Sequence, residues 1–289
     1  SGREMAAAVG KNPGVLTYSP MASIMTANSA VSAAITARPR RPSSQGDKIG
    51  LLTTKGRNPV RSGDNKEMIR ARSEFLDSGL YEPLAQKIGQ LSSELTSEIK
   101  EPVIIDSGCG EGYYTCIYAA LNERALFLGI DISKHGIDHA ASRARMASLD
   151  NARFAVASSF SLPFRAECAD AVISCFAPVS NDEYARVLKK GGRLIIVSPT
   201  ERHLFGLKAM LYDKPYENEP NVYALNKFSL IKTERLEYEG ELKSSDEIMA
   251  LFTMTPYYYK TSAEAVEKLK TINTLKTELG FEIRIYEKL

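Results

Sequence analysis

Tryptophan is absent from this sequence, histidine occurs three times and cysteine four times. Cys109, Cys116, Cys168 and Cys175 form no C-x-x-C pair, and neither Cys nor His precedes residue 109. A disulfide scaffold is thereby excluded, and so is a clustered zinc site before that residue. Buried or incidental thiols are the plain reading of the four. Long apolar runs are missing too: "RLIIVS" is typical, far short of the roughly 20 residues that cross a membrane. No charged-then-apolar leader with a cleavage site stands at the start, so no membrane partner is foreseen and the cytoplasm is the expected compartment.

What is present is ordinary for a soluble globular chain: 289 residues, 44% hydrophobic and 25% charged. That length accommodates one large domain, or one domain with a smaller appendage. The net charge of +2 conceals an asymmetry. Residues 38–72 hold ten Lys or Arg against three acids, a local +7, whereas residues 73–289 sum to −6. A basic segment on an acidic body suits contact with a polyanion, whose phosphates Lys and Arg neutralise with release of counterions. A solvated basic linker has the same composition, and charge alone does not separate the two.

Residues 1–47 are rich in Ala, Ser and Thr with no apolar period, which predicts an irregular segment with at most one short helix near 26–37. From Lys66 the period becomes helical, with a break at Ser78-Gly79. Met68, Ile69, Phe75 and Leu76 suit one helix, and Leu84, Ile88, Leu91 and Leu95 a second. Strands are then predicted at 102–106, 125–131, 152–158, 169–176 and 192–199, with helices at 112–122, 134–147 and 181–189 between them. Short apolar strands separated by helices form a parallel sheet covered on both faces, and right-handed crossovers make it a doubly wound α/β fold. Past residue 200 the pattern predicts a helix, a Pro- and Asn-rich loop (213–227), a strand near 228–239, helices at 244–251 and 263–278, and a last strand "FEIRIYEKL". The sum is a mostly parallel seven-stranded sheet. The division is an irregular segment (1–48), a basic linker with helices (49–100) and the α/β domain (101–289).

Directly after the first of these strands stands "DSGCGEGYYT", in which Asp106, Gly108, Gly110 and Gly112 make D-x-G-x-G-x-G. Glycines let the backbone turn with positive φ and approach a ligand, and the helix N-terminus beyond them offers free N–H groups to negative charge. A dinucleotide fingerprint, G-x-G-x-x-G, needs its third glycine at position 113, which is Tyr113. "LFLGIDIS" puts Asp131 at a strand end, where a carboxylate can accept both hydroxyl protons of a ribose; capping of the next helix is the alternative. The glycine spacing resembles motif I of the class I S-adenosylmethionine-dependent methyltransferases. "FAVASSFSLPF" is similar to their third-strand motif, with Ser158 near the usual acid position. "CADAVISCFAP" and "YARVLKKGGRLIIVSP" resemble their fourth- and fifth-strand motifs. The resemblance implies S-adenosyl-L-methionine as cofactor and S-adenosyl-L-homocysteine as product, with the loop around the amino-acid portion and ribose.

The flanks "GDNKEMIRARSEFLDSGLYEPL", "PTERHLFGLKAMLY" and "FTMTPYYY" resemble the RlmA-type 23S rRNA (guanine-N1)-methyltransferases, whose relatives include macrolide-resistance methyltransferases. The resemblance implies 23S rRNA as partner, and cofactor contacts at Tyr81, at Tyr114 with Thr115, and at His203. Packing aromatics are the alternative for the tyrosines, and a surface role for the histidine. Phe176, Ala177 and Pro178, at the end of the fourth motif strand, are expected to position the acceptor base; no general base is named. Arg57, Arg61, Arg70 and Arg72 are candidate phosphate contacts. Tyr257, Tyr258 and Tyr259 suit base stacking, or equally a strand or core. Family members begin with a zinc ribbon of three Cys and one His, and the ligands are absent here. Residues 1–47 fit a degenerated ribbon or a different upstream reading frame. A small-molecule methyltransferase, or a cofactor-fold module without RNA methylation activity, stays open at this point. Nothing in the sequence sets the oligomeric state, a homodimer being one arrangement.

Overall fold

The computed structural model describes residues 48–50 and 65–289. The helix expected near 26–37, Arg57 and Arg61 lie outside the described residues. In chain order the elements are β1 (Lys48–Gly50), α1 (Lys66–Asp77), α2 (Glu82–Leu95), β2 (Val103–Ser107), α3 (Tyr113–Leu121), β3 (Leu126–Asp131), α4 (Lys134–Met146), β4 (Ala152–Val156), β5 (Ala169–Cys175), α5 (Asn181–Val187), β6 (Leu188–Pro199), α6 (Phe205–Leu211), β7 (Phe228–Leu242), α7 (Ser245–Met254), a 3-10 turn (Pro256–Tyr259), α8 (Ala263–Lys270) and β8 (Leu275–Lys288).

All strands join one sheet in the order β1-β4-β3-β2-β5-β6-β8-β7. Neighbours from β1 to β6 run parallel, and β8 pairs antiparallel with both β6 and β7. The seven expected strands are β2 to β8. The eighth, β1, adds three residues to the outer edge of β4, too short a stretch to show a hydrophobic period. Boundaries are corrected in two places: the helix predicted over 181–189 ends at Val187, with β6 beginning at Leu188 rather than at 192, and the helix predicted over 263–278 ends at Lys270, with β8 beginning at Leu275. From there burial alternates, with Leu275, Thr277, Leu279, Phe281, Ile283 and Ile285 inside, the period of a strand.

Helices cover both faces. Leu84, Ile88, Tyr118, Phe127 and Phe281 lie in one core cluster, and Ile105, Leu128, Val172, Tyr184 and Leu194 in the other. Each such side chain contributes roughly 1.5–3 kcal/mol by leaving water. Starts of helices are fixed locally: the Asn65 side chain accepts from the Met68 N–H at 2.9 Å, and Ser133 Oγ from the Gly136 N–H at 3.2 Å. The parallel strands bring the turn after β2, Asp131 at the end of β3 and Phe176 after β5 to the carboxyl end of the sheet, where open α/β sheets bind ligands.

Candidate active site

The turn after β2 is forced by its glycines. Gly108, Gly110 and Gly112 have φ of +86°, +57° and +83°. A methyl group on Gly108 would lie 2.4 Å from Cβ of Ala177, and one on Gly112 would lie 2.6 Å from Cβ of Ala140. The backbone therefore packs closer to the turn after β5 and to α4 than a residue with a side chain permits. Asp131 works on this turn directly: its Oδ2 accepts from the Gly110 N–H at 3.0 Å and its Oδ1 from the Ser133 N–H at 2.7 Å. The carboxylate thus holds both the glycine turn and the entry to α4, whose cap is Ser133. Ser158 follows the end of β4, and its Oγ accepts from the N–H of Phe160, which is exposed.

Behind the turn, Thr115 Oγ donates to Asp106, both residues being buried. Burial pushes the Asp106 carboxyl up to about 7, with Thr115 opposing the shift and Asp131 adding to it. The Thr115 hydroxyl is therefore engaged by Asp106, in the first turn of α3. Tyr114 stands beside it, its hydroxyl buried without a hydrogen-bond partner among the described residues. An orphaned buried hydroxyl costs about 1–3 kcal/mol until something pairs with it.

Across the site, Tyr81 at the start of α2 and His203 in the turn after β6 meet, with 3.0 Å between the Tyr81 hydroxyl and His203 Nε2. His203 Nδ1 accepts from the Gly280 N–H at 3.2 Å, which fixes the tautomer: the ring proton sits on Nε2 and is donated to Tyr81. The phenolic hydrogen of Tyr81 is left to point elsewhere. Burial, and secondarily the charge of Lys208, drives His203 down to about 3, so the ring is neutral near neutral pH.

Phe176 packs against both, its ring nearly parallel to that of His203 at a 6.2 Å centroid distance, with Phe281 completing the cluster. Phe176 has φ of +54° and is 43% exposed. A phenylalanine held in the left-handed region costs roughly 1–3 kcal/mol, and such strain clusters at functional sites. Ala177 touches Gly108, and the Pro178 carbonyl accepts from the Tyr184 hydroxyl at 3.1 Å.

The remaining sequence candidates scatter. Arg72 extends over Gly110, its Nη1 being 3.6 Å from where a Cβ there would be, which places it on the glycine turn rather than on an outer surface. Arg70 is exposed and pairs with Glu74 at 2.7 Å. Both signs of charge line the groove of about 550 Å³ between α1 and α4, among them Lys66, Arg70, Glu74 and Asp138. Tyr257 turns inward beside Tyr212 and Lys208, whereas Tyr258 packs on Phe252 and the exposed Tyr259 donates to Met68 Sδ at 2.9 Å. No zinc set forms: among the described residues no three His, Cys, Asp or Glu side chains could hold a metal. Nor is any described helix long and apolar enough to cross a membrane.

Sequence reasoning missed Glu111, buried between two of the glycines. Arg143 donates to its Oε2 from Nε at 3.0 Å and Nη2 at 2.8 Å, while reaching Asp77 at 2.7 Å and Ser73 at 2.9 Å. This ties α1 and α4 to the glycine turn. Its acids are 66 and 32 residues from the arginine, so no local spacing advertises the network. Gly280 and Asn218, which bond the ring and the carbonyl of His203, and Lys208, which bonds Asn218, were missed for the same reason.

A family model described as "Methyltransferase domain" matches residues 99–259. A Bacillus subtilis protein named "Putative 23S rRNA (guanine-N(1)-)-methyltransferase YxjB" is 31% identical over 78% of this chain and 82% of its own length. The "23S rRNA (guanine(748)-N(1))-methyltransferase" of Streptomyces fradiae is 31% identical over 51% of this chain and 52% of its own. Of solved structures, the [4+2]-cyclase SpnF aligns with a TM-score of 0.47 at 18% identity, over 70% of this chain and 81% of that one.

Proposed function

The chain belongs to the methyltransferase-domain family, and from that premise we propose that it is a cytoplasmic, S-adenosylmethionine-dependent enzyme that methylates N1 of a guanine in 23S rRNA. The observation that carries the cofactor half is the cradle itself. Three left-handed glycines and the Asp131 carboxylate, which accepts from the Gly110 N–H, stand together at the carboxyl ends of β2 and β3. Tyr114, whose buried hydroxyl has no hydrogen-bond partner among the described residues, lies in the first turn of α3 just beyond them. The acceptor half rests on the likeness to relatives named for that reaction, one of them over most of both chains.

S-adenosylmethionine, when bound, supplies a methyl group already activated by its sulfonium, so alignment and exclusion of water fall to the protein. Gly108, Gly110 and Gly112 would lie against its amino-acid portion and Asp131 would accept from the ribose hydroxyls. Tyr81, Tyr114, the Thr115 backbone, Ser158 and His203 would close the pocket, with Asp106 holding Thr115. The guanine must leave its stack, at a cost of a few kcal/mol, and present its Watson–Crick edge. The strained, exposed ring of Phe176 would receive it, a stack worth ~1–3 kcal/mol.

Guanine N1 carries a proton that has to depart as the lone pair attacks. His203 is unsuited to take it: Nδ1 is occupied by the Gly280 N–H, Nε2 already carries a hydrogen, and burial holds the ring at about 3. The proton would pass to water, with a backbone carbonyl of the turn Phe176–Pro178 able to accept the N1–H hydrogen bond and orient it for that transfer. Primer extension tests the whole reading, because an N1-methyl blocks the Watson–Crick edge and stops reverse transcription. A single new stop at a guanine of 23S rRNA is expected after incubation with S-adenosylmethionine. Absence of any stop from enzyme that binds S-adenosylhomocysteine would defeat the acceptor assignment.

A further inference from the structure

Lysine is almost never fully buried without partners, yet Lys208 on α6 is 0% exposed. Its ammonium donates to the Tyr216 carbonyl at 2.9 Å and to Asn218 Oδ1 at 2.6 Å, and it faces the Tyr216 ring at 4.4 Å. Asn218 passes the constraint on. Its Nδ2 donates to the carbonyls of Thr200 at 2.9 Å and His203 at 3.3 Å, and its backbone N–H donates to the Glu201 carbonyl at 2.7 Å. Three carbonyls of the turn that carries His203 are thus held by one residue. That turn ends at Leu204, a non-glycine residue with φ of +59°, so it needs holding.

An ammonium has three donors and no acceptor, so Lys208 admits only one orientation of the Asn218 amide: oxygen toward itself, nitrogen toward the turn. Flipped, the amide would present its nitrogen to a cation and its oxygen to two carbonyls. We infer that Lys208 is a positioning residue for the Tyr81–His203 pair, acting through Asn218 on the turn 200–204. The inference deepens the cofactor reading of that pair and rests on it for its functional weight. Lys208 touches neither ring of the pair by hydrogen bond; its effect passes through the orientation of His203, whose Nδ1 meets Gly280 and whose Nε2 meets Tyr81.

The test uses Lys208→Met, Asn218→Ala and the double variant of the full chain, with two readouts. Nitrogen-15 NMR of the ring nitrogens reports the tautomer and pH titration of His203, one of only three histidines. Wild type is expected to show neutral His203 with the proton on Nε2, and each single variant a mixed tautomer that titrates closer to the ordinary range. Calorimetry with S-adenosylhomocysteine is expected to show each single variant binding on the order of tenfold more weakly. The double variant should be no weaker than the weaker single, because the two residues act in series. Asn218 is only half-buried, so Asn218→Ala carries the test should Lys208→Met fail to fold. Wild-type His203 signals and affinity in the folded Asn218→Ala variant, or losses that multiply in the double variant, would overturn the inference. Should wild type not bind S-adenosylhomocysteine, the cofactor reading falls, and the His203 tautomer in the ligand-free variants still decides the coupling.

Discussion

A single methyl group added at Gly108 has nowhere to go. Built there, it lies 2.4 Å from Cβ of Ala177, whereas carbon atoms pack best at about 3.5–4.0 Å. The φ of +86° adds a second penalty, roughly 1–2 kcal/mol for a residue with a Cβ in the left-handed region. Overpacking typically contributes ~1–3 kcal/mol more. Gly108→Ala is therefore expected to lose about 2–5 kcal/mol, which for a domain of this size lowers Tm by on the order of 5–15 °C. The two parts can be separated. Ala177→Gly in the same chain removes the collision but not the φ penalty, so the double variant should regain about 1–3 kcal/mol less the roughly 0.5–1 kcal/mol that glycine costs in chain entropy. Scanning calorimetry, with and without S-adenosylhomocysteine, gives both stability and ligand-induced shift. A wild-type Tm for Gly108→Ala, or no recovery on adding Ala177→Gly, would refute the claim that this turn is shaped by close approach to the turn after β5.

Arg143→Met strands Glu111 in the interior and is expected to cost about 3–5 kcal/mol in urea unfolding, with Glu111→Gln added restoring part of it. Two buried groups should oppose one another in the pH profile of stability. Asp106 keeps its proton in the folded state up to about 7 while the unfolded chain releases it near 3.8, so its contribution falls as pH rises through that window. His203, held at about 3 against 6.5 unfolded, makes stability fall as pH drops from 6.5. Relative to wild type, Asp106→Asn should therefore steepen the gain in stability from pH 4 to 6.5, and His203→Gln should shift the slope the other way; three superimposable profiles would contradict both assignments. Phe176→Ala should lower kcat/KM for RNA by about 5- to 150-fold, the equivalent of one lost stack, and by more than it weakens calorimetric binding of S-adenosylhomocysteine, which it reaches through Tyr81 and His203.

The parts of the site read from sequence were those whose chemistry is local. Gly108, Gly110 and Gly112 declare themselves by spacing after an apolar strand, and Asp131 by its place at the next strand end. Asp131 also makes a contact that neither sequence alternative named, since it accepts from the Gly110 amide across 21 residues. Tyr81 and His203 lie 122 residues apart, and no pattern predicts that their polar atoms meet; only the family resemblance singled them out. Glu111–Arg143 and Lys208–Asn218 carried no signal, because a buried charge is defined by its tertiary partner. The overlong helix at 263–278 shows the converse limit: helix formers such as Glu278 and Lys276 sit on the open positions of β8, and burial at alternate residues outweighs their propensity.

The most direct measurement is transfer of labelled methyl from S-adenosylmethionine to unmodified large-subunit rRNA, followed by mass spectrometry of the nucleosides. One equivalent of 1-methylguanosine at a single position is the expected result. Label on a different atom or base, or none in RNA from enzyme that binds the cofactor, would contradict the assignment of guanine N1 as the acceptor.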